Sequence, residues 1–84
     1  MFSERFQRTV HITRHAAQRM AERGMDDVLL LDLLDTGTVK HKDDARLWVF
    51  KAYAERNDNL LCAAVVLETL LVVKTVMHHF ALED

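Results

Sequence analysis

The residues best suited to chemistry lie close together, between Ile12 and Gly24. Read as a helix at about 100° per residue, this segment puts Arg19 about 40° and Arg23 about 80° from His15, with Glu22 about 20° to the other side. A histidine, an acid and two arginines on one face suit binding or chemistry on an anion. Metal-free cleavage of RNA requires a base for the 2′-hydroxyl, an acid for the 5′-oxygen and a cation for the phosphorane charge. Histidine can take either proton role near neutral pH, and arginine clamps phosphate through two parallel hydrogen bonds. His15, Arg19 and Arg23 are therefore half of a candidate catalytic site. His78 or His79, at the end of the last expected strand, would be the other half. Strict alternation gives His78 the face of Lys74, and His79 that of Thr75. Arg14, Arg46, Lys51 and Lys74 are the candidate nucleic-acid contacts. The structural reading of the same helix is an ion-pair network in which Glu22 reaches Arg19. It leaves Arg19 and Arg23, four residues apart, as a like-charge pair.

Positioning these groups calls for two helices and a sheet. Thr13 is an expected N-cap for the first helix, and Gly24 an expected left-handed residue just past its end. Ala17, Met20 and Ala21 would form its buried arc, with Ala16 at the edge. Asp26 is placed to cap a second helix through Val28–Leu34 that stops at Gly37. Asp27 lies favourably in its first turn. Apolar residues nearly encircle this helix, which suggests either a packed core helix or a homodimer contact through 26–36.

From Thr38 the pattern becomes β-branched with a period of two. Thr38–Lys42 and Arg46–Ala54 read as strands around an Asp43-Asp44 turn. Asn57-Asp58-Asn59 is a further turn signal, followed by strands over Leu60–Leu67 and Leu70–His79. An additional strand over Gln7–Ile12 is an open alternative. Trp48 and Phe50 alternate onto the face of Arg46, and Tyr53 onto that of Lys51. Aromatic and basic side chains on a strand can stack bases and hold phosphates, but the Trp48 and Phe50 face reads as hydrophobic core. The expected architecture is α+β, with two N-terminal helices packed on a three- to four-stranded antiparallel sheet.

Composition narrows the options. The 84 residues suffice for a single domain with one core, and the absence of proline with half the residues hydrophobic argues against a disordered tail. The only cysteine, Cys62, lies in an apolar run and reads as a buried structural thiol, in keeping with a reducing cytoplasm. Neither a signal peptide nor a membrane-spanning stretch is expected. The net charge of −2 excludes a uniformly basic nucleic-acid binder. It conceals a basic stretch at 1–24, with five arginines against two glutamates, and an acidic one at 25–36, with four aspartates and no base. His11, His15 and His78 could be assembled into a zinc site, but no C-x-x-C or H-E-x-x-H spacing is present and no metal or cofactor is expected.

The motif His15-x-x-x-Arg19-x-x-Glu22-Arg23-Gly24, the acidic helix ending at Gly37 and the strands closing on Lys74-Thr75-Val76 resemble a bacterial family catalogued as domain of unknown function 4258. The likeness covers about residues 10–80. By its order of helices and sheet, that family is in turn similar to small toxins of the RelE, ParE and BrnT type. This second resemblance implies a toxin-like protein that binds or cleaves RNA without a metal, paired with an antitoxin. The alternative expectation is a non-catalytic module that binds, and inhibits, a partner protein.

Overall fold

A computed structural model describes residues 1–53 and 60–78. The elements in chain order are β1 (Phe2–Ser3), β2 (Arg8–Ile12), α1 (Arg14–Glu22), α2 (Asp27–Thr36), β3 (Thr38–His41), β4 (Arg46–Ala52), β5 (Leu60–Leu67) and β6 (Leu71–His78). Asn57-Asp58-Asn59 and His79 lie outside the described residues.

The expected helix ends are in place. The Thr13 side chain accepts from the Ala16 amide at 3.1 Å, and that of Asp26 accepts from the Leu29 amide at 2.8 Å. After α1, Gly24 takes φ +63. Its amide donates to the Ala21 carbonyl and the Met25 amide to that of Met20, which is the paired closure of a Schellman ending. Met20 and Met25 are both buried. Gly37 ends α2 for a different reason. Its φ of −72 is open to any residue, but a Cβ there would lie 2.6 Å from the Leu33 carbonyl oxygen and 2.9 Å from that of Phe50.

The expected three- to four-stranded antiparallel sheet is not what forms. Six strands hydrogen-bond in the order β1-β2-β6-β5-β4-β3, and the sheet curls into a half-barrel. It is mixed: β2 runs parallel to β6, pairing Val10 with Leu71 and Ile12 with Val73, while every other neighbouring pair is antiparallel. Two strands therefore precede the helices. The reason is the N-terminal segment. The amide of Val10 donates to the Met1 carbonyl at 2.8 Å, closing β1 on β2 through Gln7 at φ 54. Ser3 is fully buried and donates to Asp35 of α2 at 2.5 Å, and Arg5 donates to the carbonyls of Leu34 and Gly37 at the end of that helix.

Both helices cover one side of the sheet, α1 over β6 and α2 over β4 and β5. Leu30, Leu33 and Leu34 of α2 are fully buried with Leu47, Val49, Leu61, Ala63, Val65, Val73 and Val76 of the strands. The chain's own core thus absorbs the leucines that suggested a subunit contact, leaving Val28 as the strongly exposed apolar residue of α2, at 77%. Among the described residues, no helix is long and apolar enough to cross a membrane.

Candidate nucleic-acid interface

Register decides which side chains can meet. Leu47, Val49 and Lys51 of β4 pair with Val65, Ala63 and Leu61 of β5, and these positions face the helices. Arg46, Trp48 and Phe50 pair with Val66, Ala64 and Cys62 and face away from them. The sequence reading of Trp48 and Phe50 as core is corrected: both are half-buried on the helix-free face. Leu47 and Val49 fill the core instead, and they differ from the aromatics only in the parity of their positions. Thr38 and Lys40 of β3 share the open face, Lys40 directly across from Trp48.

Lys51 and Tyr53 belong to the other side. Lys51 Nζ lies 3.1 Å from an Asp32 carboxylate oxygen and 2.7 Å from the Thr36 hydroxyl, and 5.2 Å from the centre of the Tyr53 ring. The Tyr53 hydroxyl donates to the same Asp32 oxygen at 2.5 Å. The Tyr53 and Lys51 hydrogen bonds lower the Asp32 pKa, while burial and Asp32 raise that of Tyr53. Lys51 therefore docks α2 on β4, on the opposite side of the sheet from Arg46.

A bulge in β6 reverses the expected grouping of Lys74 with His78. Ala64 pairs with Thr75 and the next residue, Val65, pairs with Val73, so Lys74 is the extra residue. Lys74 and Thr75 both fall on the open face; Lys74 is exposed and lines a furrow with Arg46, Trp48 and Ala64. Val76 is buried under the helices and His78 pairs with Leu61, on the helix side. Thr13 connects the bulge to α1. Its amide donates to the Val73 carbonyl and its hydroxyl to that of Lys74, both at 3.2 Å, beside Arg14 and His15.

On α1 the buried residues are Ala16 and Met20, while Ala17 and Ala21 are exposed. The helix is thus rotated from the expected arc toward Arg19 and Arg23. Both arginines are half-buried, with apolar stems that can line a core edge. Arg19 is 3.0 Å from both Glu22 oxygens, which is the structural pairing expected of the helix. Arg23 reaches back to the Arg19 carbonyl at 3.4 Å. His15 and Arg14 are exposed in the first turn. His11 faces the open side of the sheet beside Val72, away from His78. Among the described residues no group of three histidine, cysteine or acidic side chains is placed to hold a metal.

The open face has a consistent charge. By register its strand positions carry Phe2, Thr9, His11, Thr38, Lys40, Arg46, Trp48, Phe50, Ala52, Leu60, Cys62, Ala64, Val66, Val72, Lys74, Thr75 and Met77, and none is acidic. Lys42, in the turn after β3, also lines the furrow. Of the two exposed acids in the adjoining turn, Asp43 and Asp44, Asp43 is tied to the rim. It lies 2.6 Å from Arg46 Nε and accepts from the amides of Ala45 and Arg46. These contacts, the Arg46 hydrogen bond foremost, hold its pKa down at about 2. Lys40 and Lys42 were not among the expected contacts. The signal for Lys40 was present, because centring the hairpin on Asp44 sets it opposite Trp48.

A family profile described as Domain of unknown function (DUF4258) matches residues 12–78, and the chain belongs to that family. No curated protein and no solved structure gives a significant match. The match begins at the last residue of β2, so β1 and most of β2 lie before it.

Proposed function

We propose that this family member binds RNA on the helix-free face of its sheet. The observation that supports the reading is the half-buried pair Trp48 and Phe50, flanked by Lys40, Lys42, Arg46 and Lys74 on a face whose strand positions carry no acid. Aromatic rings on a sheet offer bases a stacking surface, and lysines beside them hold phosphates. The exposed Arg14 and His15 begin α1 next to the bulge, where Thr13 hydrogen-bonds the Lys74 carbonyl. Binding is the step this arrangement favours over cleavage. Arg19 is already committed to Glu22, and His78 lies on the opposite side of the sheet from Lys74.

Fluorescence anisotropy with an end-labelled single-stranded RNA tests the reading. Three lysines on phosphate give an expected slope of about −2 for log affinity against log salt concentration. Replacing Lys40 and Lys42 together with glutamine should reduce the slope to about −0.7 and leave the melting temperature near that of the wild type. Absence of binding at low salt, or an unchanged slope in the double variant, refutes it. Tight binding of a protein partner that ignores salt would favour the interaction-module alternative, since apolar interfaces respond little to ionic strength.

A further inference from the structure

The open face has relief as well as charge. Along β5 its outward residues are small or short: Cys62, Ala64 and Val66. They are flanked on β4 by Phe50, Trp48 and Arg46, and on β6 by Met77, Thr75 and Val72. At the row Trp48–Ala64–Thr75 the register sets a methyl group between an indole and a threonine side chain. Two strand spacings separate β4 from β6, about 10 Å. That leaves room for one flat ring standing against the indole once the thickness of both walls is subtracted. The furrow holds about 130 Å³ and is lined by Lys42, Arg46, Trp48, Ala64, Val66 and Lys74. For scale, an apolar cavity of ~150 Å³ accepts benzene.

The bulge widens the wall that carries the cation. Leu71 and Val73 face the helices, so alternation puts Lys74 on the open face, and the extra residue adds Thr75 beside it before Val76 turns back under the helices. Lys74 thus lines the furrow together with Trp48, as do Lys42 and Arg46. An aromatic wall, an apolar floor and cations at the rim match a planar base joined to a phosphate. A base pair is too wide to enter, and a duplex presents its bases stacked and edge-on.

We propose that the furrow over Ala64 takes a single unpaired nucleobase, stacked on Trp48, with its phosphates at Lys74 and Lys42. This rests on the RNA-binding reading above and adds that the substrate class is single-stranded.

Trp48 is the only tryptophan in the chain, so its emission reports on the surface around this one ring, and Ala64→Leu separates the furrow from the hollow on its Lys40 side. The experiment titrates the full chain with a single-stranded oligouridine and with an RNA duplex of equal length, following Trp48 emission and, separately, the anisotropy of labelled RNA. The expected result is quenching by the single strand, and an affinity for it at least tenfold above that for the duplex. Ala64→Leu fills the floor of a half-buried position without changing charge. It should weaken single-strand binding about tenfold and leave duplex binding unchanged, and a thermal melt verifies that it folds. Should Ala64→Leu not fold, Lys74→Gln at the exposed bulge provides the second variant, with a severalfold loss confined to the single strand.

Equal affinity for both RNAs, insensitive to Ala64→Leu, overturns the base slot and leaves RNA binding standing. Binding of neither RNA overturns both. Trp48 emission that instead shifts with protein concentration would show a second copy of the chain on this face, and would likewise overturn the proposal.

Discussion

Replacing Gly37 with alanine isolates the joint that sets α2 against the strand carrying Trp48. The φ of −72 and ψ of 169 are ordinary extended values, so alanine incurs no backbone penalty there. The penalty is overlap. The new Cβ would lie 2.6 Å from the Leu33 carbonyl oxygen, 2.9 Å from the Phe50 carbonyl oxygen and 2.9 Å from Val49 Cγ1. Two of these are backbone atoms, one in the last turn of α2 and one in β4, and neither can rotate aside. Overpacking of this kind costs about 1–3 kcal/mol, and the backbone contacts put Gly37→Ala at the upper end, about 3 kcal/mol. For a domain of this size each kcal/mol lowers the melting temperature by about 4–8 °C, so a fall of roughly 12–24 °C is expected. Gly24→Ala is the control. There φ is +63 and nothing lies within 4 Å of a built Cβ, so only the left-handed backbone penalty of about 1–2 kcal/mol applies. Paired calorimetric melts decide the matter. A Gly37→Ala protein that melts within 5 °C of wild type, or above Gly24→Ala, refutes the close approach of α2 to β4.

Two further outcomes follow from the charges and the buried thiol. Asp43→Asn should strengthen RNA binding about fivefold at 0.1 M salt and steepen the salt slope by about 0.7, because it releases the Arg46 charge. The asparagine oxygen can still accept from the turn amides, and unchanged affinity would show that Arg46 does not contact RNA. The stability contributed by ionised Asp43 is fully present above the usual carboxylate pKa and disappears as pH falls through about 2, so acid titration of the variant should lack that component. Cys62 is buried between Phe50 and Met77 in the sheet, and burial pushes its thiol up to about 11. A thiol-reactive dye should leave it untouched at pH 8 in the native protein and label it fully in denaturant; rapid native labelling would mean the sheet opens there.

What could be read from the sequence followed local chemistry. The caps Thr13 and Asp26, the Gly24 ending and the bounds of β5 depend on residues within a few positions of one another, and all are found. The parallel pairing of β2 with β6 joins residues about sixty positions apart, and nothing near Val10 announces Leu71. On β4, Leu47-Trp48-Val49-Phe50 is apolar at both parities, so size drew the aromatics inward where the register turns them out. The bulge at Lys74 contains no glycine to mark it, yet it decides that His78 falls on the side away from Lys74 and Trp48. On α1, alanines at 16, 17 and 21 leave the buried arc undetermined in the sequence, and in the structure Ala16 and Met20 mark it.

The net charge of −2 opposes affinity for RNA on average, but charge acts locally. The aspartates of α2 stand in the helix layer, on the side of the sheet away from Trp48. The shortest dimension of the molecule is 21 Å, against a Debye length of about 8 Å at physiological ionic strength. Acids in the helix layer are therefore largely screened from a ligand on the open face. Such a ligand meets Lys40, Lys42 and Lys74, and Arg46 held by Asp43. A field of three lysines is too weak to retain a duplex by charge alone at physiological salt. Affinity must then come from contacts that salt does not weaken, and on this face those are the rings of Trp48 and Phe50. They would reward bases that are already unstacked, so under the proposed reading the same modest basicity that limits general nucleic-acid binding favours unpaired RNA.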